Sequence, residues 1–411
     1  MRCTLTPPGG AAIPHRRVGQ SFVGMRKKVQ NFIDFMLVAA ARQADTYSRR
    51  RRYSTIEFNG LWLVSMSLEK RRRPDRGVHK VINVAVVGMG GIGNNHARCY
   101  QNNKAVQLVA VCDMIREKAE KSAQKLNCRA FGSIQEMLDS GLKIHAASMT
   151  TGGKENGGDH YQPTMDLLRA GIATLGEKPI SNEISKAREM VALARQKNIP
   201  YAVNLNHRFT PAARQARKWL AEGRLGEVNI LNMTMWINNM NESSPHFHMR
   251  ALHPHSIDVM CYFGGDIRKV QAFFKKGAAR KVWSNVQMNV LFADGAVGHL
   301  TGSYDAGAGY GLEQCDVVGS KGRVIIREAC EVLEFHSRLS REYETYHYLG
   351  GMMGFDDTFQ SRINAWVDDL VNQTPPDKID GKAADALRAQ LVIEAAIESW
   401  EKGTVVEVPA V

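Results

Sequence analysis

Paired cysteine is the first thing this sequence lacks. Its seven cysteines are odd in number and scattered, and no two stand at C-x-x-C spacing. That excludes a cystine-stapled secreted scaffold and a zinc ribbon, and suits the reduced core thiols of a cytosolic protein. Long hydrophobic runs are missing too. The best, residues 32–41, is interrupted by Asp34 and is too short to cross a bilayer, so no membrane partner is expected. No segment repeats, which argues against a solenoid or a propeller. Acidic residues are scarce in one place: residues 1–80 carry 17 Lys and Arg against 5 Asp and Glu. Nearly all of the formal net charge of +13 sits there. The rest of the chain is close to neutral, so the basic balance gives its body no nucleic-acid partner.

That basic stretch includes Arg49-Arg50-Arg51-Arg52 and Lys70-Arg71-Arg72-Arg73. Arginine clusters bind nucleic acid or acidic lipid when a fold presents them. Arg16-Arg17 has the form of a twin-arginine signal, but no clean apolar segment or small-residue cleavage site follows. Residues 1–80 read as a poorly ordered extension, with Met66 as a natural start shortly before the first strand.

What is present begins at Val81. Val-Ile-Asn-Val-Ala-Val-Val is an apolar, β-branched run that suits a strand buried on both faces. Gly88-Met89-Gly90-Gly91-Ile92-Gly93 follows directly, and a helix can continue from Asn94. Gly88 allows the tight turn, Gly90 lets the backbone approach a pyrophosphate, and Gly93 lets helix and strand pack closely. The turn, with Gly91 and Ile92 in it, leads to a helix N-terminus whose free N–H groups and positive dipole end favour that anion. A second apolar strand, Val106 to Val111, ends at Asp113, twenty residues beyond Gly93. Asp113 can accept both ribose hydroxyls of an adenosine, and its charge disfavours a 2′-phosphate. NAD is therefore favoured over NADP, with Arg116 near enough to soften the preference.

Alternating strand and helix patterns continue to Val203, which predicts a doubly wound parallel sheet over residues 81–205. Thr210-Pro211 is an N-cap and N1 pair for a helix reaching Leu220. Beyond it, β-rich segments cluster without intervening helices at 228–237, 270–274, 286–292, 296–304, 316–318 and 323–326. They predict an α+β domain over residues 206–411, built on a mostly antiparallel sheet. Two amphipathic helices, about 357–371 and 382–402, are expected to pack on one side of it. The fold class is α/β, an N-terminal Rossmann sheet followed by this α+β domain.

The motifs Gly88–Gly93, Glu177-Lys178-Pro179, Asn206-His207-Arg208-Phe209, Gly223-Arg224-Leu225-Gly226, His255-Ser256-Ile257-Asp258 and Gly319-Ser320-Lys321-Gly322 occur in this order. In order and spacing the chain from Val81 to about Val408 resembles the glucose–fructose oxidoreductase, inositol dehydrogenase and MocA family. The resemblance implies an NAD(P)-dependent dehydrogenase of a sugar, cyclitol or related polyol. It implies that Glu177 and Lys178 border the cofactor, and that Pro179 follows a cis peptide. Lys178 would then stabilise developing alkoxide charge, and His255 would be the acid–base histidine. Pro254 fits a first helical position, which would place His255 in a first helical turn where the dipole keeps the ring neutral. Arg208 is expected at the domain junction. A homodimer or homotetramer is implied, with the exposed face of the second sheet as the contact.

One position departs from the family pattern. Four residues before His255, where many members carry Asp, this chain has Ala251. His246, His248, Arg250 and His253 are the nearby candidates to replace it. The four histidines invite a metal, but Pro254 limits convergence of His253 and His255, and no metal is expected. A polar substrate wall is the preferred reading: His253 and Asp258, with Trp236 as an aromatic face and Asn238 as an amide. His160, after a glycine-rich loop, either touches substrate or caps a helix. Two other functions stay open. One is a glycosidase or lyase that oxidises a sugar transiently with retained NAD; the other is a non-catalytic NAD-binding sensor.

Overall fold

The structure, a computed structural model, describes residues 55–58, 61–64, 81–153, 158–306, 312–328, 331–352 and 354–411. The chain divides into two units, residues 1–77 and 78–411. In the first unit the described residues form an antiparallel hairpin, β1 (Thr55–Phe58) and β2 (Leu61–Val64). Both strands fall within the stretch read as an extension. The arginine clusters and Met66 lie outside the described residues.

The second unit opens with a six-stranded parallel sheet. Its strands are β3 (Ile82–Val87), β4 (Val106–Cys112), β5 (Arg129–Phe131), β6 (Ala146–Met149), β7 (Ala173–Gly176) and β8 (Tyr201–Val203), in spatial order 5-4-3-6-7-8. The crossover helices are α1 (Gly91–Gln101), α2 (Arg116–Leu126), α3 (Ile134–Asp139), α4 (Tyr161–Arg169) and α5 (Ile184–Gln196). Order reverses between β3 and β6, so a crevice opens at their carboxyl ends, where open α/β sheets bind ligands. Successive β3 side chains alternate between two covered faces, and nearly all are buried. Val84 and Val86 pack into one hydrophobic cluster, Ala85 and Val87 into another.

A 3₁₀ turn at Asn206–Phe209 leads to α6 (Pro211–Ala221), whose Thr210 hydroxyl accepts from the Ala213 amide at 3.2 Å. Then come β9 (Val228–Trp236), α7 (Phe247–Gly264), β10 (Ile267–Lys275), β11 (Asn285–Phe292), β12 (Val297–Ser303), β13 (Leu312–Gly319), β14 (Gly322–Arg327), β15 (Val332–Ser337) and β16 (Tyr343–His347). With β17 (Val406–Glu407) they make a nine-stranded sheet in the order 16-15-14-13-9-12-11-10-17. Every pairing is antiparallel except β9 with β12. The mostly antiparallel second sheet is as expected, extended by three strands the sequence pattern does not reveal. Helices α7 and α9 (Ala383–Lys402) cover its inner face.

Two elements differ from expectation. Helix α7 begins at Phe247, so Pro254 lies inside it and His255 is in mid-helix. Second, α8 (Asp356–Val371) does not belong to the second sheet's core. Phe359, Ile363, Trp366 and Val367 pack with Ile82, Val84 and Leu175 over the parallel sheet. Leu387 and Leu391 of α9 likewise join a cluster with Met190 and Tyr201. Apolar stripes on both helices complete whichever face is uncovered, and here the parallel sheet is that face. Among the described residues no helix is long and apolar enough to cross a membrane.

Candidate dinucleotide and substrate site

The turn after β3 is shaped by close backbone packing. Gly88 has φ +94°, and a Cβ there would lie 2.6 Å from the Thr151 amide nitrogen. A Cβ on Gly93 would fall 1.8 Å from the Gly88 carbonyl oxygen. Neither place admits a side chain. Gly90 and Gly91 are the opposite case, with nothing within 4 Å of a Cβ built on either. That open cradle, at a helix start with no side-chain cap, fits a pyrophosphate. Ile92 is 42% exposed beside it. At the end of β4, Asp113 is nearly buried, its carboxylate held by the amides of Met89 (2.7 Å) and Ile115 (2.9 Å). Each oxygen retains a lone pair for a ribose hydroxyl. Arg116 is engaged by Glu136 at 2.8 Å, away from that carboxylate. The residues present therefore fit a dinucleotide.

Behind the turn lies a buried polar network. Glu177, after β7, accepts from Asn204 at 2.7 Å and stands 3.1 Å from His96 Nε2. His96 Nδ1 is 3.0 Å from the Ser148 hydroxyl, which also meets Tyr100 at 2.8 Å. Burial alone would raise the Glu177 pKa, but His96, Lys178 and Asn204 outweigh it and hold it below the usual carboxylate range. Glu177 is thus anchored rather than free. The Lys178–Pro179 peptide is cis, and the Lys178 ammonium donates to the Ala251 carbonyl at 2.8 Å. Burial depresses its pKa, with Glu177 partly opposing.

Lys178 and His255 meet at one cavity of about 400 Å³, a size that takes a small polar ligand. Its other polar walls are His207, Asn239, Tyr304 and Glu313; Met235, Ile237, Leu252 and Phe355 are apolar, and Ala251 completes it. His255 is buried with no hydrogen-bond partner for Nδ1. Its pKa lies well below the ordinary imidazole value, mainly through burial, with His207, Lys178 and His253 adding to it. The expected cause, a helix N-terminus, is replaced by desolvation, because α7 starts eight residues earlier. The His207 ring lies against that of His255, tilted by 34° with centroids 4.4 Å apart, and its Nδ1 lies 2.7 Å from Glu313 Oε1.

All five expected substrate residues lie elsewhere. Along the end of β9 and beyond, Met235, Ile237 and Asn239 line the cavity. Side chains alternate, so the intervening Trp236 and Asn238 face away. Trp236 borders a different pocket with Phe273 and Gln287, and Asn238 is exposed. His253 is fully buried between the Ser256 hydroxyl and His248 Nε2, each 3.0 Å away. Asp258 is 1% exposed and pairs with Arg208 through both oxygens. Arg208 also reaches Asp380 (2.7 Å) and Asp385 (3.1 Å), tying the turn after β8 to α7 and α9. His160 stands outside the cavity, its ring nitrogens 2.7 Å from the Pro179 carbonyl and 3.0 Å from that of Thr151. His246 is drawn to Glu401, and Arg250 to Glu394. Among the described residues no group of three His, Cys, Asp or Glu side chains could hold a metal ion. Sequence reasoning missed His207 as a site residue, and Asn239, Tyr304 and Glu313 altogether. His207 stood within a quoted motif; Glu313 carried no signal.

Known proteins match this architecture. A family model described as an oxidoreductase family with an NAD-binding Rossmann fold matches residues 82–205. The GFO/IDH/MocA C-terminal domain matches residues 213–325. A D-glucoside 3-dehydrogenase of Escherichia coli (strain K12) is 31% identical over 151 residues, 36% of this chain and 42% of that protein. An inositol 2-dehydrogenase of Rhizobium meliloti (strain 1021) is 28% identical over 155 residues, 37% of this chain and 44% of that protein. The chain thus spans under half the length of these two relatives. A solved levoglucosan dehydrogenase in complex with NADH and L-sorbose superposes with a TM-score of 0.72 at 19% identity, over 81% of this chain and 100% of that one. At such identity that likeness speaks for the fold. Two matched domains in sequence, covering more than half of the chain and meeting at this site, leave one conclusion: the chain belongs to the GFO/IDH/MocA oxidoreductase family.

Proposed function

We propose that the protein oxidises a secondary hydroxyl of a sugar, cyclitol or related polyol, with NAD as hydride acceptor. The observation that carries the reading is the single cavity shared by Lys178 and His255, beside the carboxyl end of β7. Bound NAD supplies an electrophilic nicotinamide. The chain's own groups do the rest: the Lys178 ammonium stabilises alkoxide charge as the O–H bond weakens, and an imidazole of the His207–His255 pair takes the proton. Asn239 and Tyr304 offer hydrogen bonds to neighbouring hydroxyls, while Met235 and Ile237 offer apolar surface to ring C–H groups. The dehydrogenases of glucosides and inositols among the relatives support this substrate class.

NAD is preferred to NADP in this reading, because the Asp113 carboxylate repels a 2′-phosphate and Arg116 is held by Glu136. The outer face of the nine-stranded sheet is the proposed contact for a second copy. Ile230, Val297 and Leu291 are register partners there, and Phe273 is on β10, the strand next to Leu291's; all four are at least 37% exposed. The test is turnover of the full chain with NAD or NADP and a panel of sugars, cyclitols and glycosides, following NADH and product mass together. Sustained NADH with an oxidised product supports the dehydrogenase. Product without net NADH replaces it by a lyase or glycosidase that restores its cofactor, and binding without either signal replaces it by a sensor.

A further inference from the structure

Among the described residues the cavity has one carboxylate, Glu313, and its recorded partner is His207, not His255. Its side chain is 12% accessible and its Oε1 meets His207 Nδ1 at 2.7 Å. A ring nitrogen facing a carboxylate carries the hydrogen, so the other, Nε2, is the lone pair of the neutral ring. His255 has the reverse situation: it is buried, Nδ1 has no partner, and a second imidazole stands 4.4 Å away. A proton arriving on His255 would meet no counter-charge, whereas one arriving on His207 would be faced by Glu313. At Ala251 only a main-chain carbonyl is present, and Lys178 occupies it. The other candidates to replace a carboxylate there, His246, His248, Arg250 and His253, are turned to partners outside the cavity.

We propose that His207, oriented by Glu313, is the proton acceptor of the reaction, and that this pair stands in for the carboxylate missing at position 251. The proposal rests on the dehydrogenase reading above. In the step, the substrate's O–H bond breaks and its proton passes to His207 Nε2. The O–H electron pair becomes the second carbonyl bond, and the carbinol C–H bond leaves with its pair as hydride to the nicotinamide dinucleotide. Glu313 keeps the Nδ1 hydrogen bond throughout and is a positioning residue. His255 stays neutral and directs the hydroxyl. Among the described residues, the charged and titratable groups that share the cavity with His207 are Glu313 from β13, His255 from α7, Lys178 after β7 and Tyr304 after β12; the Phe355 ring stands 5.7 Å from the His207 ring.

The experiment compares the full chain with Glu313→Gln, His207→Gln and His255→Gln, using an active polyol from the panel. Glu313→Gln is expected to lose about 100-fold in kcat with little change in KM. The kcat/KM pH profile of this variant is expected to differ in shape from that of the wild type, because the proton acceptor loses the carboxylate that faces it. A second readout needs no cofactor or turnover. A downfield imidazole N–H proton resonance is expected in the wild type and in His255→Gln, and is absent from Glu313→Gln and His207→Gln. Unchanged kcat and pH profile in Glu313→Gln, beside an active wild type, overturns the proposal alone. So does a wild type without the resonance, or an acid limb that follows His255 instead of His207. A wild type that retains the resonance but oxidises no polyol overturns the dehydrogenase reading and this assignment with it.

Discussion

The side-chain ammonium of Lys178 donates to the main-chain carbonyl of Ala251 across 2.8 Å. This bond links the loop after β7 to helix α7 one residue beyond the carbonyl that Pro254 leaves without its helical donor. Substrate would compete for that ammonium. Lys178→Ala is expected to lower kcat/KM about 100- to 1,000-fold, the range for removing one group aimed at developing negative charge. NADH fluorescence titration should show a far smaller change in cofactor affinity. Equal losses in both would make Lys178 a cofactor ligand only.

The glycine turn separates folding from binding. A Gly90→Ala methyl meets nothing in the protein, so the melting temperature without cofactor should stay unchanged. The methyl would occupy the pyrophosphate's approach, and the Kd for NAD should rise about tenfold or more, or 1.4 kcal/mol. Gly93→Ala collides with the Gly88 carbonyl, and should lower the melting temperature as well. Calorimetry with and without NAD distinguishes the two.

Strand register decides which side chains meet substrate. Asn239→Ala should raise KM about tenfold if its amide bonds a substrate hydroxyl. Trp236→Phe, one face over, should leave KM unchanged. It should cost little stability, because the indole N–H it removes is buried without a hydrogen-bond partner. A KM effect at Trp236 with none at Asn239 would reverse the assignment of faces.

Much of this was readable in advance, for a physical reason. The β3–α1 turn, β4 and Asp113 are neighbours in sequence, and their chemistry is local. The Thr210 cap is equally local. Trp236 and Asn238 were misplaced by one residue, because a strand near its end gives no sign of which face stays buried. Pro254 reads as a helix start, yet tertiary burial carries α7 through it. The His207–Glu313 contact joins residues 106 apart, and no periodicity encodes such a meeting. Strand β16, Tyr343–His347, is mostly exposed and largely polar, and so lacks the apolar alternation that reveals strands.

Buried neutral histidines should make the protein acid-sensitive. Burial, helped by Arg280, pushes the His248 pKa down to about 3, and burial likewise depresses His253 and His255. Below the ordinary imidazole value of about 6.5, the unfolded chain binds protons that the native chain refuses. For His248 stability therefore falls as pH drops from there to about 3, by about 1.4 kcal/mol per unit. Melting temperatures across this window should decline, with a shallower slope in His248→Gln. A flat wild-type profile would refute the neutral assignment.

Helix α8 closes the apolar face of the parallel sheet, yet it is made more than 150 residues after β8. During synthesis the nucleotide half therefore leaves the ribosome with a hydrophobic face bare, and keeps it bare while the whole second sheet is being translated. A nascent chain arrested before α8 would display every glycine and carboxylate of the dinucleotide turn beside an uncovered apolar face, the kind of surface chaperones hold.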